Sequence, residues 1–150
     1  MFDVEFDTKK IQTELKKIAD RATSDRTLEG IGDLVVLGIR GDGEIFDKEG
    51  IDSVLWPKSK AAQVEGRKTL HKSGFLRRSI RRSEVSESGP DEGGTVMIGT
   101  DAVYGAIHQF GGEAGRKDKR TNLPARPFLG ITQKTEERIV KFIQSVIKGR

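Results

Sequence analysis

Residues 97–131 read MIGTDAVYGAIHQFGG, then EAGRKDKRTN, then LPARPFLGI. The two outer segments are rich in aromatic, glycine and proline residues, whereas residues 113–122 between them are polar and charged. Glycine and proline fix backbone geometry, and aromatic side chains supply contact area. Neither segment contains a recognisable catalytic set. We therefore predict a region built for assembly, in which residues 113–122 form a polar, mobile loop between two rigid ends.

The hydrophobic pattern around this region predicts an α+β fold: a small, mainly antiparallel sheet covered on one face by helices, with a C-terminal amphipathic helix. Residues 41–55 hold glycines among acids and predict an irregular connection to Trp56-Pro57, with continuation of the second helix as far as Phe46 as the alternative. Gly30, Gly32 and Gly38 weaken the second helix but allow close helix packing. The predicted elements are a strand over 2–6, helices over 8–22 and 28–39, short helices over 60–69 and 74–79 capped by Ser59 and Ser73, paired strands over 80–87 and 94–99, a short helix over 102–110, an irregular or edge strand over 123–131, and a final helix capped by Thr132.

The size of the chain, 150 residues, suits one domain with one core, so we expect a single domain over residues 1–150. Hydrophobic residues make up 34% and charged residues 33%, which favours a large share of surface or of interface with other subunits. The absence of cysteine excludes disulfides and thiolate sites. We see no signal peptide and no run near the ~20 apolar residues of a membrane span, and expect a soluble, intracellular protein.

Charge alternates in blocks along the chain. Residues 57–82 hold nine basic and one acidic residue, whereas residues 83–112 hold five acids and no base. Residues 1–56 are net acidic and residues 113–150 net basic. Such blocks suit the binding of a polyanion, the complementary stacking of subunits, or solvated faces, and the pattern alone leaves all three open.

The basic block is the candidate for contact with DNA or with an acidic partner. Phe75 is its only aromatic residue, so the block has few side chains that can stack on bases. Any DNA contact would therefore be to the phosphate backbone. The six residues expected to make these contacts are Lys68, Lys72, Arg77, Arg78, Arg81 and Arg82.

The sequence offers little for catalysis or metal binding. His71 and His108 are the only histidines, and neither has a second ligand at metal spacing. Gly41–Glu44 resembles part of a calcium loop but lacks the ligand at the far end. No nucleophile elbow or phosphate-cradling loop occurs. We predict no catalytic residue, metal or cofactor, and a protein that is not an enzyme.

The aromatic residues of the region divide into core and contact candidates. Tyr104, Phe110 and Phe128 are each expected in the core, whereas Trp56 either caps the core or enters a neighbour. Arg126, between two prolines, is expected to fix the two motifs through a salt bridge or a carbonyl contact. The residues predicted to contact subunits or partners are Trp56, Tyr104, His108, Gln109, Phe110, Gly111, Gly112, Lys117, Lys119, Arg120, Pro124, Arg126, Pro127 and Phe128.

The motifs together resemble a known family. Trp56-Pro57, then LHKSGFLRRSI at 70–80, Ile98-Gly99-Thr100, YGAIHQFGG at 104–112 and LPARPFL at 123–129 are similar in order and spacing to the phage virion morphogenesis family, the tail completion proteins of Mu-like and related tailed phages. The HQFGG and PARPFL pair is the most specific part, and the resemblance covers nearly the whole chain.

The resemblance implies a virion structural protein of the neck that completes or terminates the tail and joins it to the head. Similar neck proteins form rings, often hexamers, around the DNA channel, with tail tube or sheath proteins and head-tail connectors as partners and nonspecific DNA contact in the channel. The alternative left open by the residues is an intracellular nucleic-acid-binding regulator that uses the basic block.

Overall fold

A long helix that packs on both a β-hairpin and the C-terminal helix is central to the fold of this computed structural model, which describes residues 8–41, 44–87 and 93–149. The strand predicted over residues 2–6 lies outside these residues. In chain order the elements are α1 (Thr8–Ala22), α2 (Asp25–Arg40), α3 (Ile45–Lys48), β1 (Gly50–Ile51), β2 (Val54–Leu55), α4 (Lys60–Val64), α5 (Phe75–Ser79), β3 (Arg81–Glu87), β4 (Gly94–Gly99), α6 (Gly105–Phe110), β5 (Gly112–Arg116), β6 (Lys119–Leu123) and α7 (Gln133–Lys148).

The predicted α+β class is confirmed, but the strands form three separate antiparallel pairs, β1 with β2, β3 with β4, and β5 with β6. The β3–β4 hairpin lies where the turn signal predicts it, with a register shift between Arg82 and Val85. Helix α2 packs against both of its strands and against α7. Helices and hairpin therefore form the main body, and the other two pairs are small attachments.

The predicted long helices are confirmed. α1 has the predicted bounds, α2 begins three residues earlier than Leu28, and α7 is capped by Thr132, whose hydroxyl accepts from the Thr135 N–H at 3.2 Å. Gly38 lies against α7 so closely that an added Cβ would come 2.0 Å from Thr135 Oγ1. The glycines of α2 thus permit close helix packing, as the sequence suggested.

Residues 41–55 were expected to be irregular, but they contain regular elements. Their described part contains α3 and the short β1–β2 pair, and Ile45 and Phe46 are fully buried. Phe46 meets the Trp56 ring edge-on at 5.5 Å and the Phe128 ring at 5.9 Å. Because acids and glycines dominate this stretch, its two core residues leave no periodic signal.

Two predictions in the motif region are wrong. Residues 113–122, expected as a loop without regular structure, belong to the β5–β6 hairpin, which pairs from Gly112↔Leu123 to Arg116↔Lys119. Residues 124–131, expected to continue as a strand, have no strand assignment. Pro124 and Pro127 remove backbone donors there, and side chains described below satisfy the backbone instead. Short helix α4 also ends at Val64, before the predicted residue 69.

Candidate assembly site

The two sequence motifs lie together in the fold, and Gln109 joins them. Its Oε1 accepts from the backbone N–H groups of Phe128 and Leu129, both at 2.9 Å, and its Nε2 donates to the Leu129 carbonyl at 3.2 Å. The N–H of Arg126 donates to the His108 carbonyl at 2.7 Å. An amide side chain offers an acceptor and donors at one end, so a single glutamine replaces a strand partner for the second motif.

Gly111 allows this close approach. Its φ of +73° is a left-handed value that glycine adopts without strain. A Cβ at this position would lie 2.8 Å from Ala125 N and 2.9 Å from Leu123 O. The first glycine of the predicted Gly111-Gly112 pair is therefore required both by its backbone angle and by the second motif that passes beside it.

A second link connects this region to Trp56-Pro57. The Trp56 indole Nε1 donates to the Pro127 carbonyl at 2.7 Å, and the Arg126 guanidinium Nε donates to the Pro57 carbonyl at 2.7 Å. The bonds are reciprocal, because each dipeptide gives one side-chain donor and one proline carbonyl. The Arg126 side chain thus contacts a carbonyl, one of the two predicted alternatives, but it links the second motif to Trp56-Pro57 and not to the first motif. Trp56 is 5% exposed and lies in the core, so its side chain is not available to a neighbour.

The predictions for the other aromatic residues have different outcomes. Phe128 is fully buried, as expected, whereas Tyr104 is 43% and Phe110 77% exposed, contrary to the expectation of core. Helix α6 is short and has solvent on one side, so only part of its apolar pattern meets the core. Phe110 stands at the base of the β5–β6 hairpin. Its exposure leaves a large apolar side chain free for contact with another molecule.

A cavity of about 420 Å³ opens between α5, α6 and residues 59–73. Arg126 lies in its wall with only 3% of its surface exposed. Three aromatic rings line one side in succession, Phe75 at 6.5 Å from Tyr104 and Tyr104 edge-on at 5.9 Å from His108. Sequence patterns do not reveal this cavity, because its walls come from separate segments. The lining residues are Ser59, Arg67, Leu70, Lys72, Ser73, Phe75, Leu76, Tyr104, His108, Leu123 and Arg126.

Burial and charge shift the pKa values of two side chains in this cavity. Burial lowers the pKa of His108 below its ordinary value, and the positive charge of Arg126 lowers that pKa further. Burial also lowers the pKa of Arg126. Nδ1 of His108 is buried and has no hydrogen-bond partner among the described residues. Both effects favour the neutral imidazole of His108.

The hairpin β5–β6 carries the three basic residues predicted for contact at its outer end. Lys117, Lys119 and Arg120 are exposed. Arg120 Nη1 forms an ion pair with Glu113 Oε2 across the strands at 2.9 Å. Pro124 and Gly112, also predicted as contact residues, lie exposed at the hairpin base. These five predicted contact residues thus occupy one exposed element and its base, whereas Trp56, Arg126 and Phe128 of the same prediction are buried.

The basic block is largely neutralised within the fold. Arg82 pairs with Glu29 at 3.1 Å and Asp33 at 3.2 Å, both on α2. Asp47 pairs with Lys68 and Arg77, and Asp101 with Arg81. Of the six residues predicted to meet DNA or an acidic partner, Lys72 and Arg78 alone have no ion pair within the described residues. The alternating charge blocks of the sequence therefore complement each other inside one chain.

Neither a metal centre nor a membrane span emerges from the described parts of the chain. They contain no group of three or more His, Asp or Glu side chains placed to hold a metal ion. Among them, no helix combines the length and the apolar character needed to cross a bilayer.

Comparisons with known proteins agree with the motifs. Residues 42–148 match the model of the phage virion morphogenesis family. The chain is 50% identical over 49 residues to "Mu-like prophage FluMu G protein 2" of Haemophilus influenzae, a match over 33% of this chain and 35% of the relative. It is 33% identical over 81 residues to "Putative capsid assembly protein G" of Escherichia phage Mu, over 54% of this chain and 46% of the relative. The matches thus span less than half of either relative, and no solved structure matches.

The chain belongs to the phage virion morphogenesis family, because the family model covers most of its length. The matched residues include both motifs, the cavity and the final helix.

Proposed function

We propose that the protein is a structural, non-enzymatic subunit of the phage neck, which assembles as a ring, completes or terminates the tail, and joins it to the head. The observation that supports this proposal is the contrast between a rigid base and an exposed projection. The two motifs are fixed by the Gln109, Trp56 and Arg126 hydrogen bonds, whereas the β5–β6 hairpin and Phe110 project from them.

A projection on a rigid base suits contact between subunits. Little ordering entropy is lost on binding when the contact element is already held in place. Phe110 supplies a large apolar side chain and the hairpin end supplies charge, the two components of a typical interface centre and rim. Partners in this proposal are further copies of the chain, tail tube or sheath proteins and head-tail connector proteins.

The test is a complementation assay: particle assembly is compared without the protein and after the protein is supplied again. A phage deleted for its gene should accumulate unjoined heads and tails, and the wild-type chain supplied in trans should restore joined particles. Phe110→Asp should fail to restore them, whereas Val64→Asp, at an 89% exposed apolar residue away from the motifs, should restore them. Antibody labelling of joined particles away from the head–tail junction would exclude the neck position.

Direct DNA binding by the basic block receives little support from the ion pairs. Four of its six candidate residues already have acidic partners in the fold. Exposed pairs of this kind are weak, contributing about 0–1 kcal/mol, so a phosphate could exchange with a carboxylate at small cost. Contact with DNA inside a channel therefore remains part of the proposal as a nonspecific interaction with the phosphate backbone.

A further inference from the structure

The cavity beside α6 contains a positive charge that the fold leaves without a counter-ion. Arg126 is 3% exposed, and its side chain makes one hydrogen bond, from Nε to the Pro57 carbonyl, among the described residues. Its two terminal guanidinium nitrogens have no acceptor there, and no carboxylate forms an ion pair with them. These nitrogens are not fully buried, so they reach the solvent of the cavity. A positive charge in a partly desolvated cavity, with no carboxylate beside it, favours an anion from outside the chain.

The remaining charged side chains of the cavity are also basic. Lys72 lies in the same wall and has no ion pair within the described residues, while Arg67 pairs with Glu65. No aspartate or glutamate lines the cavity. Guanidinium and ammonium groups together favour a carboxylate, because guanidinium can hold both of its oxygens.

The apolar side of the cavity would accommodate an aromatic or aliphatic group next to that carboxylate. Phe75 is 50% and Tyr104 43% exposed, and their rings face the opening at 6.5 Å from each other. The volume of about 420 Å³ lies within the range of about 300–1,000 Å³ typical of binding pockets. A peptide segment in which acids and aromatics alternate would satisfy both sides.

The chain itself has such a segment at residues 1–7, MFDVEFD. It combines three acids with two phenylalanines and has no basic side chain. The acidic segment at residues 87–92 offers carboxylates without an aromatic residue. Helix α1, which follows residue 7, packs on α7, whereas the cavity is formed by α5, α6 and residues 59–73. The self-association in the proposed function places a second copy of the chain beside each subunit, and we take that copy as the source of the segment.

We propose that the cavity receives residues 1–7 of a neighbouring copy, with a carboxylate on Arg126 and Lys72 and a phenylalanine against Phe75 and Tyr104. The contact explains why a buried arginine has open donors in a single chain. It rests on the self-association in the proposed function, but not on the position at the neck.

The first experiment measures binding of a peptide to the full-length protein. The probe is an N-acetylated peptide of residues 1–8 with a C-terminal fluorophore, followed by anisotropy. We expect saturable binding that Lys72→Glu weakens by about tenfold or more, since Lys72 is exposed and its replacement leaves the core unchanged. Lys141→Glu, the same charge change on the exposed side of α7, should leave binding within twofold.

The peptide also has a matched control. Replacing its three carboxylates with amides, as Asp3→Asn, Glu5→Gln and Asp7→Asn, should weaken binding by about tenfold or more. Equal binding of the two peptides, equal effects of the two lysine variants, or no binding at all would each overturn the assignment of the cavity.

The second experiment asks whether the segment comes from another copy. Full-length protein with the same three amide substitutions should show less self-association than wild type in analytical ultracentrifugation. Unchanged self-association despite peptide binding would overturn the contact between copies. A protein that is monomeric at every concentration but binds the peptide would refute self-assembly in solution, and the contact with it, while recognition of the acidic segment would stand.

Discussion

Trp56 donates its indole N–H to the carbonyl of Pro127, although the two residues are 71 positions apart in the chain. The distance is 2.7 Å, and the indole is otherwise enclosed by the Phe46 ring and the core. A buried acceptor that loses its donor keeps its desolvation cost. The bond therefore holds the second motif to the core.

Trp56→Phe keeps the aromatic packing and removes the donor. We expect the free energy of unfolding to fall by about 1–3 kcal/mol, because the Pro127 carbonyl becomes unsatisfied and the smaller ring leaves space. Urea unfolding followed by circular dichroism would measure it. Phe110→Leu, at an exposed ring, should change stability by less than about 0.5 kcal/mol, and an equal loss in both variants would contradict this view.

Gln109→Ala removes all three hydrogen bonds to the second motif. We expect a loss of about 2–4 kcal/mol, since two buried N–H groups and one carbonyl lose their partner. Thermal unfolding gives the readout, with Gln144→Ala on the exposed face of α7 as the control. A loss of the same size at Gln144 would mean that the bonds of Gln109 contribute nothing specific.

His108 should titrate below its ordinary pKa of 6.5 because of burial and the charge of Arg126. Its neutral form is favoured in the fold, so the unfolded chain binds more protons just below that value. Stability from this group is complete above about pH 6.5 and declines as the pH falls toward the folded pKa. NMR titration of the imidazole should show the low value, and Arg126→Gln should raise it. An unchanged pKa in that variant would remove the charge of Arg126 as a cause.

Gly38→Ala tests the contact between α2 and α7. The new methyl group would overlap Thr135 Oγ1, and we expect destabilisation of about 1–3 kcal/mol despite the better helix propensity of alanine. Gly99→Ala is the matched control, because a Cβ there meets nothing within 4 Å. Chemical unfolding of both variants separates a packing effect from a general effect of alanine.

DNA binding should depend only weakly on salt. Each phosphate neutralised adds about −0.9 to the slope of log K against log salt, and two unpaired basic residues of the block, Lys72 and Arg78, predict a slope of roughly −2. Filter binding over a salt series gives this slope. A value of about −5, the slope for all six residues, would show that the ion pairs of Lys68, Arg77, Arg81 and Arg82 open to admit phosphates.

The sequence predicts the long elements well and the short connections poorly. α1, α2 and α7 have unbroken apolar spacing, and the β3–β4 hairpin has a strong turn signal, so local pattern and final fold agree. Phe46 and the β5–β6 hairpin leave no such signal. Phe46 is buried by rings that arrive from distant segments, and the hairpin is built of polar residues whose pairing is fixed at its ends.

The candidate site was likewise predicted only in part from the sequence. The spacing of the two motifs indicates that they act together, and Arg126 meets a carbonyl as expected. The role of Gln109, the burial of Trp56 and the cavity all depend on which segments meet in space. The pairing of Arg82 with acids 49 and 53 residues away likewise lies beyond any count of charge along the chain.

The double attachment of the β5–β6 hairpin has a mechanical consequence. One end continues from α6 through Gly111, and the other continues into the segment that Gln109, Arg126 and Trp56 hold to the core. A pull on the tip at Lys117 is therefore shared by both ends and transmitted to one rigid body. Force on the hairpin would therefore move the core together with it, because the hairpin would not extend independently of the core.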